Sequence, residues 1–208
     1  MKPRPGRWFA LAGLIFSALS AGAQELPSRE SIRADYQAAS KDWRPVPEVV
    51  LQAFMVAQDR GFYRRSPSFS TLTREITRWY SPAHNQVPAA SLPATMALGQ
   101  ALGHDEILNW FVNGVFLGQS CYGVQGAAGA YFGKDMTQLS LSEAALLASL
   151  SVAPADLNPR RNPEKALERR NYVLRNLLED GVISQTAAAT ARAEPLTVLN
   201  PLGTCHAR

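Results

Sequence analysis

The thirty residues from Asp105 to Lys134, DEILNWFVNGVFLGQSCYGVQGAAGAYFGK, constrain this chain more than any other stretch. Apolar residues at helical spacing run from about His104 to Phe116. Gly118 and Gly123 then bracket a turn, and a second helix of small residues runs from Val124 to Tyr131. Few segments elsewhere alternate strictly between apolar and polar residues, so the spacing predicts a mainly helical domain.

The remaining helices follow from the same reading. After Pro45 and Pro47, the residues Val50, Ala53, Phe54 and Ala57 fall at i, i+3, i+4 and i+7 and predict a helix ending near Gly61. Gln58 and Asp59 then lie in its last turn. A helix from about Thr71 to Tyr80 can place Leu72, Ile76 and Trp79 on one face, Ser81 to Pro88 reads as a loop, and a short helix follows from about Pro93 to Ala101. Ser140 with Glu143 forms a capping-box pattern ahead of Ala144 to Leu150. Asn162 and Pro163 predict the start of a helix reaching about Leu178 and stopped by Gly181, with Ala166, Arg170, Val173, Leu174, Leu177 and Leu178 on one face; Ser184 opens a last, alanine-rich helix.

At the other end, Lys2, Arg4 and Arg7 precede an apolar run from Trp8 to about Leu19, and Ala21-Gly22-Ala23 offers a small-x-small cleavage pattern. The run is short against the roughly 20 residues that a bilayer requires. Residues 1–23 therefore read as a signal peptide, with an uncleaved anchor as the alternative, and residues 24–44 as a polar, loosely held lead-in to a single domain over 45–208. Losing residues 1–23 removes three of 21 basic residues and none of 17 acidic ones, leaving about +1. That balance gives no nucleic-acid surface. Arg60, Arg64, Arg65, Arg74 and Arg78 form a local basic cluster, either a solvated helix face or an anion site for a pyrophosphate or anionic lipid head group. Export would carry Cys121 and Cys205 into an oxidising compartment, where they either pair or stay two thiols. A bridge would close a long loop, worth about 4 to 5 kcal/mol in the chain-entropy model. His84, His104 and His206 show no metal-ligand spacing with either cysteine.

The segment from Asp105 to Lys134 resembles the distal half of the peptidoglycan glycosyltransferase domain, glycosyltransferase family 51, found in penicillin-binding proteins and monofunctional transglycosylases. The matching residues are Asp105, Glu106, Ile107, Leu108, Asn113, Gly118, Tyr122, Gly123, Val124, Ala127, Ala128, Tyr131, Phe132, Gly133 and Lys134. Leu139 to Ala148, Pro154, Asn158-Pro159, Asn162-Pro163-Glu164, Ala166, Arg169-Arg170, Val173-Leu174 and Gly181-Val182-Ile183 continue the likeness. It implies a lysozyme-like helical glycosyltransferase fold over roughly Pro45 to Glu194. These distal matches are of the type that builds cores and caps, so they speak for fold before chemistry.

The positions that carry chemistry in that family are altered. Pro47 to Tyr63 is similar to the first family motif, in which a helix ends in Glu-Asp followed by an aromatic pair; Gln58 stands where the acid should be, while Asp59, Phe62 and Tyr63 are kept. In the family that carboxylate is the base that takes a proton from the acceptor sugar hydroxyl, and a neutral amide does not do so. Ser70-Thr71-Leu72-Thr73 resembles the second motif, which lines the donor site, with Phe69 for its second glycine and Arg74 and Glu75 for its glutamines. About a dozen positions separate Gln58 from Ser70, where the family inserts some tens of residues, including a mobile segment over the cleft. Counting back without gaps places Val87, Pro88 and Ser91 at the third motif, so that Ser91 stands for its carboxylate.

The resemblance thus implies a cell-wall biogenesis protein of the periplasm or the outer face of the inner membrane, with weak or no catalysis. It would bind a glycan strand, the lipid-linked precursor or another cell-wall protein, with contact to the membrane surface as a further expectation. The alternative is an active transglycosylase with a substitute base, Glu75 first, then Glu106 and Asp59. A lysozyme-like hydrolase has only fold analogy behind it and would need an acid of raised pKa in the cleft. Substrate contacts are expected from Ser70, Thr71, Thr73, Arg74, Arg78 and Asn113. No cofactor is expected from the residues; the resemblance allows a divalent cation.

Overall fold

The computed structural model describes residues 26–80 and 91–205. The leader over 1–23, His84, Val87, Pro88 and His206 lie outside the described residues. Among those described, nine α-helices account for the regular structure: α1 (Arg29–Ser40), α2 (Glu48–Gln58), α3 (Thr71–Trp79), α4 (Leu92–Ala101), α5 (His104–Gly114), α6 (Val124–Phe132), α7 (Leu141–Leu150), α8 (Pro163–Glu179) and α9 (Gln185–Ala193). Two 3₁₀ turns, Phe62–Arg64 and Pro67–Phe69, connect α2 to α3.

α7 is the centre of the packing. Ser140 accepts a hydrogen bond from the Glu143 amide at 3.2 Å, Glu143 reaches back to the Ser140 amide at 2.8 Å, and every residue from Ala144 to Leu150 is buried. A helix apolar on all sides must be covered on all sides, and α2, α6, α8 and α9 pack against it. α3, α4 and α5 form a second group with α1 laid across it.

Much of the polar lead-in is helical rather than loosely held. Residues 29–40 form α1, whose Ser28 side chain caps the Ser31 amide and whose Ile32 is fully buried. Arg29 donates to Gln100 at 2.8 Å, Tyr80 donates to Asp35, and Tyr36 packs against Trp43 and Trp110. One isoleucine and one tyrosine leave a weak periodic signal, so tertiary contacts rather than pattern hold this helix in place. Two smaller differences concern ends. α5 stops at Gly114 instead of Phe116, and the Asn162 side chain donates to the Asp156 carbonyl at 2.9 Å instead of capping α8.

The glycine turn after α5 is a hairpin. Leu117 and Cys121 pair through the Leu117 amide at 3.0 Å, and the Cys121 amide donates to Gly118 at 2.8 Å. Gln119 and Ser120 occupy the left-handed region at φ 53° and 57°, an unfavourable setting for non-glycine residues. Tertiary bonds hold it: a disulfide joins Cys121 to Cys205 with an S–S distance of 2.07 Å, and the Cys205 amide donates to the Gln119 carbonyl at 3.1 Å. Gly123, at φ 76°, lies so close to α5 that a Cβ would sit 2.3 Å from the Asn113 carbonyl oxygen. Gly99 similarly lets α4 approach the Pro67–Phe69 turn, where a Cβ would fall 2.3 Å from the Ser68 nitrogen.

Arg170 is the largest wholly buried side chain. It donates to Ser142 at 2.9 Å and to the Glu194 and Arg192 carbonyls at 2.8 and 3.0 Å, thereby fastening α8 to α7 and to the end of α9. Burial pushes its guanidinium below the usual value, with the Glu194 carboxylate opposing. It is a structural cation.

Candidate functional site

Gln58 is the last residue of α2, half-buried, and its amide nitrogen donates to both the backbone carbonyl and the hydroxyl of Ser151, each at 3.0 Å. Ser151 closes α7, so two helix C-termini meet at this amide. The Ser151 hydroxyl donates in turn to the Ala148 carbonyl at 2.6 Å. Arg169 of α8 donates to the Ala57 carbonyl at 3.2 Å, and its guanidinium stands 4.6 Å over the Tyr172 ring. Its Nε is sealed from solvent with no hydrogen-bond partner among the described residues. Neither Ser151 nor Arg169 stood out as a site residue in the sequence: Ser151 carries no motif, and Arg169 is visible only as one of a matched arginine pair.

Asp59 is 5% exposed and spends both oxygens on the scaffold. Oδ1 accepts from the Gly61 amide at 3.2 Å and from Arg65; Oδ2 accepts from the Thr71 amide, the first of α3, at 2.9 Å. One carboxylate thus fixes the end of α2, the following 3₁₀ turn and the start of α3. Ser70 and Thr73 are likewise turned inward. Ser70 Oγ accepts from the Thr73 amide at 3.0 Å and lies 2.6 Å from Thr73 Oγ1, which donates to the Pro67 carbonyl at 2.7 Å. Both are at most 2% exposed, which leaves Thr71 and Arg74 as the accessible members of this segment.

The arginine cluster is divided among separate partners. Arg60 makes a two-pronged contact with Asp180 and a 3.0 Å bond to Glu179, and hydrogen bonding to Asp180 raises its pKa further. Arg65 is held by Asp59, Arg78 pairs with Glu75 at 3.3 Å, and Arg64 points back to the Arg60 carbonyl. Arg74 is exposed with no polar partner among the described residues.

The remaining acids bond to partners other than Gln58. Glu75 lies on α3 beside Arg78, while Glu106 caps the start of α5 by accepting from the Gly103 amide at 2.8 Å and reaches Arg33 of α1 at 3.5 Å. Asn113 donates to the Asn109 carbonyl at 3.0 Å within α5, and Ser91 caps α4 through the Ala94 amide at 3.3 Å. Nearby, Tyr63 donates to Asp105 at 2.8 Å and stacks with His104; burial first, then Asp105, raises its hydroxyl pKa. The three acids share no hydrogen-bonding or ion-pair partner. Among the described residues no group of three or more His, Cys, Asp or Glu side chains could hold a metal ion. Among the same residues no helix is long and apolar enough to cross a membrane.

Comparison with known proteins gives this geometry a family. The transglycosylase family matches residues 69–178, a span that begins beyond Gln58. Penicillin-binding protein 1A of Aquifex aeolicus is 34% identical over 177 residues, covering 74% of this chain and 24% of that protein. A protein of Cupriavidus necator provisionally named a transglycosylase is 31% identical over 216 residues, covering 89% of this chain and 92% of its own length. The chain therefore spans about a quarter of the penicillin-binding proteins it matches and nearly all of the shorter relative. The crystal structure of penicillin-binding protein 1A from Haemophilus influenzae superposes with a TM-score of 0.51 at 29% identity, over 74% of this chain and 17% of that one. With the family matched over more than half of the chain and a relative 31% identical across most of its length, the chain belongs to the transglycosylase family and has its lysozyme-like helical fold.

Proposed function

We propose that this protein is a degenerate transglycosylase of peptidoglycan biogenesis, exported to the periplasm or the outer face of the inner membrane, which binds a glycan strand or the lipid-linked precursor without polymerising it at an ordinary rate. The observation that carries this reading is the state of Gln58. An amide takes the place of the base, and its nitrogen is committed to the Ser151 carbonyl, which can only accept. The neighbouring acids offer no replacement. Asp59 is consumed by three donors, Glu106 by a helix cap, and Glu75 is held by Arg78.

The test is polymerisation of the lipid-linked disaccharide peptide by the full chain. Loss of a positioned base costs about 10²- to 10⁴-fold in rate, so no polymer should form at enzyme levels where a standard relative completes the reaction. Gln58→Glu should fail to restore it, because Ser91 still stands for the second carboxylate and the connection from Gln58 to Ser70 stays short. Polymer made by the native chain and lost on Glu75→Gln would establish the opposite reading, an active enzyme with Glu75 as base.

A further inference from the structure

A cavity of about 150 Å³ lies where the end of α6, the first part of α7 and the segment after α9 meet. Phe132, Leu146, Pro195 and Leu196 give it apolar walls, and Ser142, Glu143, Glu194 and Thr197 supply its polar lining. None of these residues belongs to α2 or α3, so the cavity is separate from the surroundings of Gln58.

The wall that the C-terminal segment contributes is fastened at both ends. Arg170 holds the Glu194 carbonyl at 2.8 Å, and the Ser140 hydroxyl donates to Glu194 Oε2 at 2.9 Å. Further along, the Leu199 amide donates to the Tyr131 carbonyl and the Gly203 amide to the Ala130 carbonyl, each at 2.8 Å, which satisfies carbonyls that α6 leaves open at its end. The disulfide from Cys205 to Cys121 closes the far end, and Gly126 makes room for it, since a Cβ there would stand 2.9 Å from the Cys205 sulfur. The cavity is therefore preformed.

Its lining decides what enters. Lys134 occupies both oxygens of Glu143, at 2.7 and 3.0 Å, whereas Glu194 Oε1 takes no hydrogen bond from the described residues and is not among their sealed-off polar atoms. No lysine, arginine or histidine of the described residues lines the cavity. An open carboxylate oxygen beside apolar walls suits a cation that carries N–H donors and an apolar body, and it repels an anion. A volume of about 150 Å³ matches a single benzene-sized group.

We propose that this cavity binds a small primary ammonium compound with an apolar body of about one ring, and that Glu194 is its carboxylate partner. An amino acid of the same size fits poorly, because its own carboxylate would meet Glu194 and Glu143. The ammonium keeps its protons, and no covalent bond changes.

Three probes of one shape test this on the full chain by NMR at neutral pH: benzylamine, which is then protonated, benzyl alcohol and benzoate. Benzylammonium should bind with ring-proton contacts to the Leu146 and Leu196 methyls. Benzyl alcohol should bind about 10-fold more weakly, the share of a charge-assisted hydrogen bond, and benzoate should not bind. Glu194→Gln keeps an acceptor for the Ser140 hydroxyl and removes the charge, so it should weaken benzylammonium about 10-fold and leave benzyl alcohol as it was. Backbone amide spectra establish that the variant is folded; if it is not, added salt on the native chain gives the same reading by weakening benzylammonium and sparing the alcohol. Equal affinity for benzylammonium and benzyl alcohol in the native chain overturns the proposal, as do ring contacts to residues outside the cavity. So does the absence of binding by any probe, which would mean a cavity that holds water only. None of these outcomes touches polymerisation, so the proposed function stands or falls apart from them.

Discussion

The region from α5 to α8 and the region from α2 to α3 keep family-like residues for different reasons. In the distal region the retained residues answer to sterics. Gly123 is there because its neighbour is a carbonyl oxygen, Tyr131 because its hydroxyl reaches the Leu117 carbonyl at 2.8 Å, and Arg170 because three acceptors converge in the core. In the proximal region the retained residues are of the kind that does chemistry, Asp59, Ser70 and Thr73, yet each is turned inward to hold the backbone. Kept identity therefore does not mean kept activity. A carboxylate that fixes three chain segments would be retained whether or not any sugar is ever transferred.

The sharpest way to break this comparison is Gly123→Ala. The residue sits at φ 76°, costly for any side chain, and the added Cβ would overlap backbone that cannot swing aside, 2.3 Å from the Asn113 oxygen. We expect more than about 3 kcal/mol of lost stability, or failure of the protein to accumulate. Denaturant unfolding decides it. A loss below about 1 kcal/mol would mean that the distal glycines are not retained for packing.

The next test moves to the proximal region. Asp59→Asn keeps the shape but replaces one acceptor oxygen with a donor, which then meets either Arg65 or an amide hydrogen. Losing charge-assisted bonds at a 5%-exposed site should lower stability by about 1.5 to 3 kcal/mol at unchanged denaturant slope. Were Asp59 a binding or catalytic group instead of a clamp, ligand affinity would fall while the unfolding midpoint stayed in place.

The same division explains what could be read from the sequence. The helices from α2 to α9 were legible because their faces are periodic and their caps are chemically specific, as with Ser140 and Glu143. α1 was not, since Ile32 and Tyr36 alone carry its buried face and its remaining ties are polar contacts to Gln100, Glu106 and Tyr80. At the site, the amide at Gln58 was legible as a residue type. Its surroundings were not. Ser151 lies 93 positions away and acts largely through a backbone carbonyl, which no side-chain pattern records. The arginine cluster shows the converse, because proximity in sequence gave five cations, four of which the fold assigns to different partners while Arg74 stays exposed.

A further contact between the two regions supplies the smallest of these effects. Asp135, in the turn between α6 and α7, accepts from the Thr137 amide at 3.0 Å and hydroxyl at 2.7 Å and meets Arg44, which lies just ahead of α2. The Thr137 backbone and side-chain hydrogen bonds, then Arg44, hold its carboxyl well below the usual carboxylate range. A carboxyl depressed in the folded state favours folding at pH values above its unfolded value, near 3.8, and that contribution fades as the pH falls through the lower folded value. Asp135→Asn should therefore melt at a lower temperature than the native protein at pH 6, with the two curves drawing together as the pH drops below about 4. Added salt should narrow the gap at pH 6 only in part, because it screens the exposed Arg44 pair and leaves the short bonds to Thr137. A gap that closes fully with salt would assign the effect to Arg44, making this link between the two regions electrostatic; a gap indifferent to salt would assign it to the local Thr137 turn and leave the regions joined by apolar packing and by the Gln58–Ser151 and Arg60–Asp180 contacts.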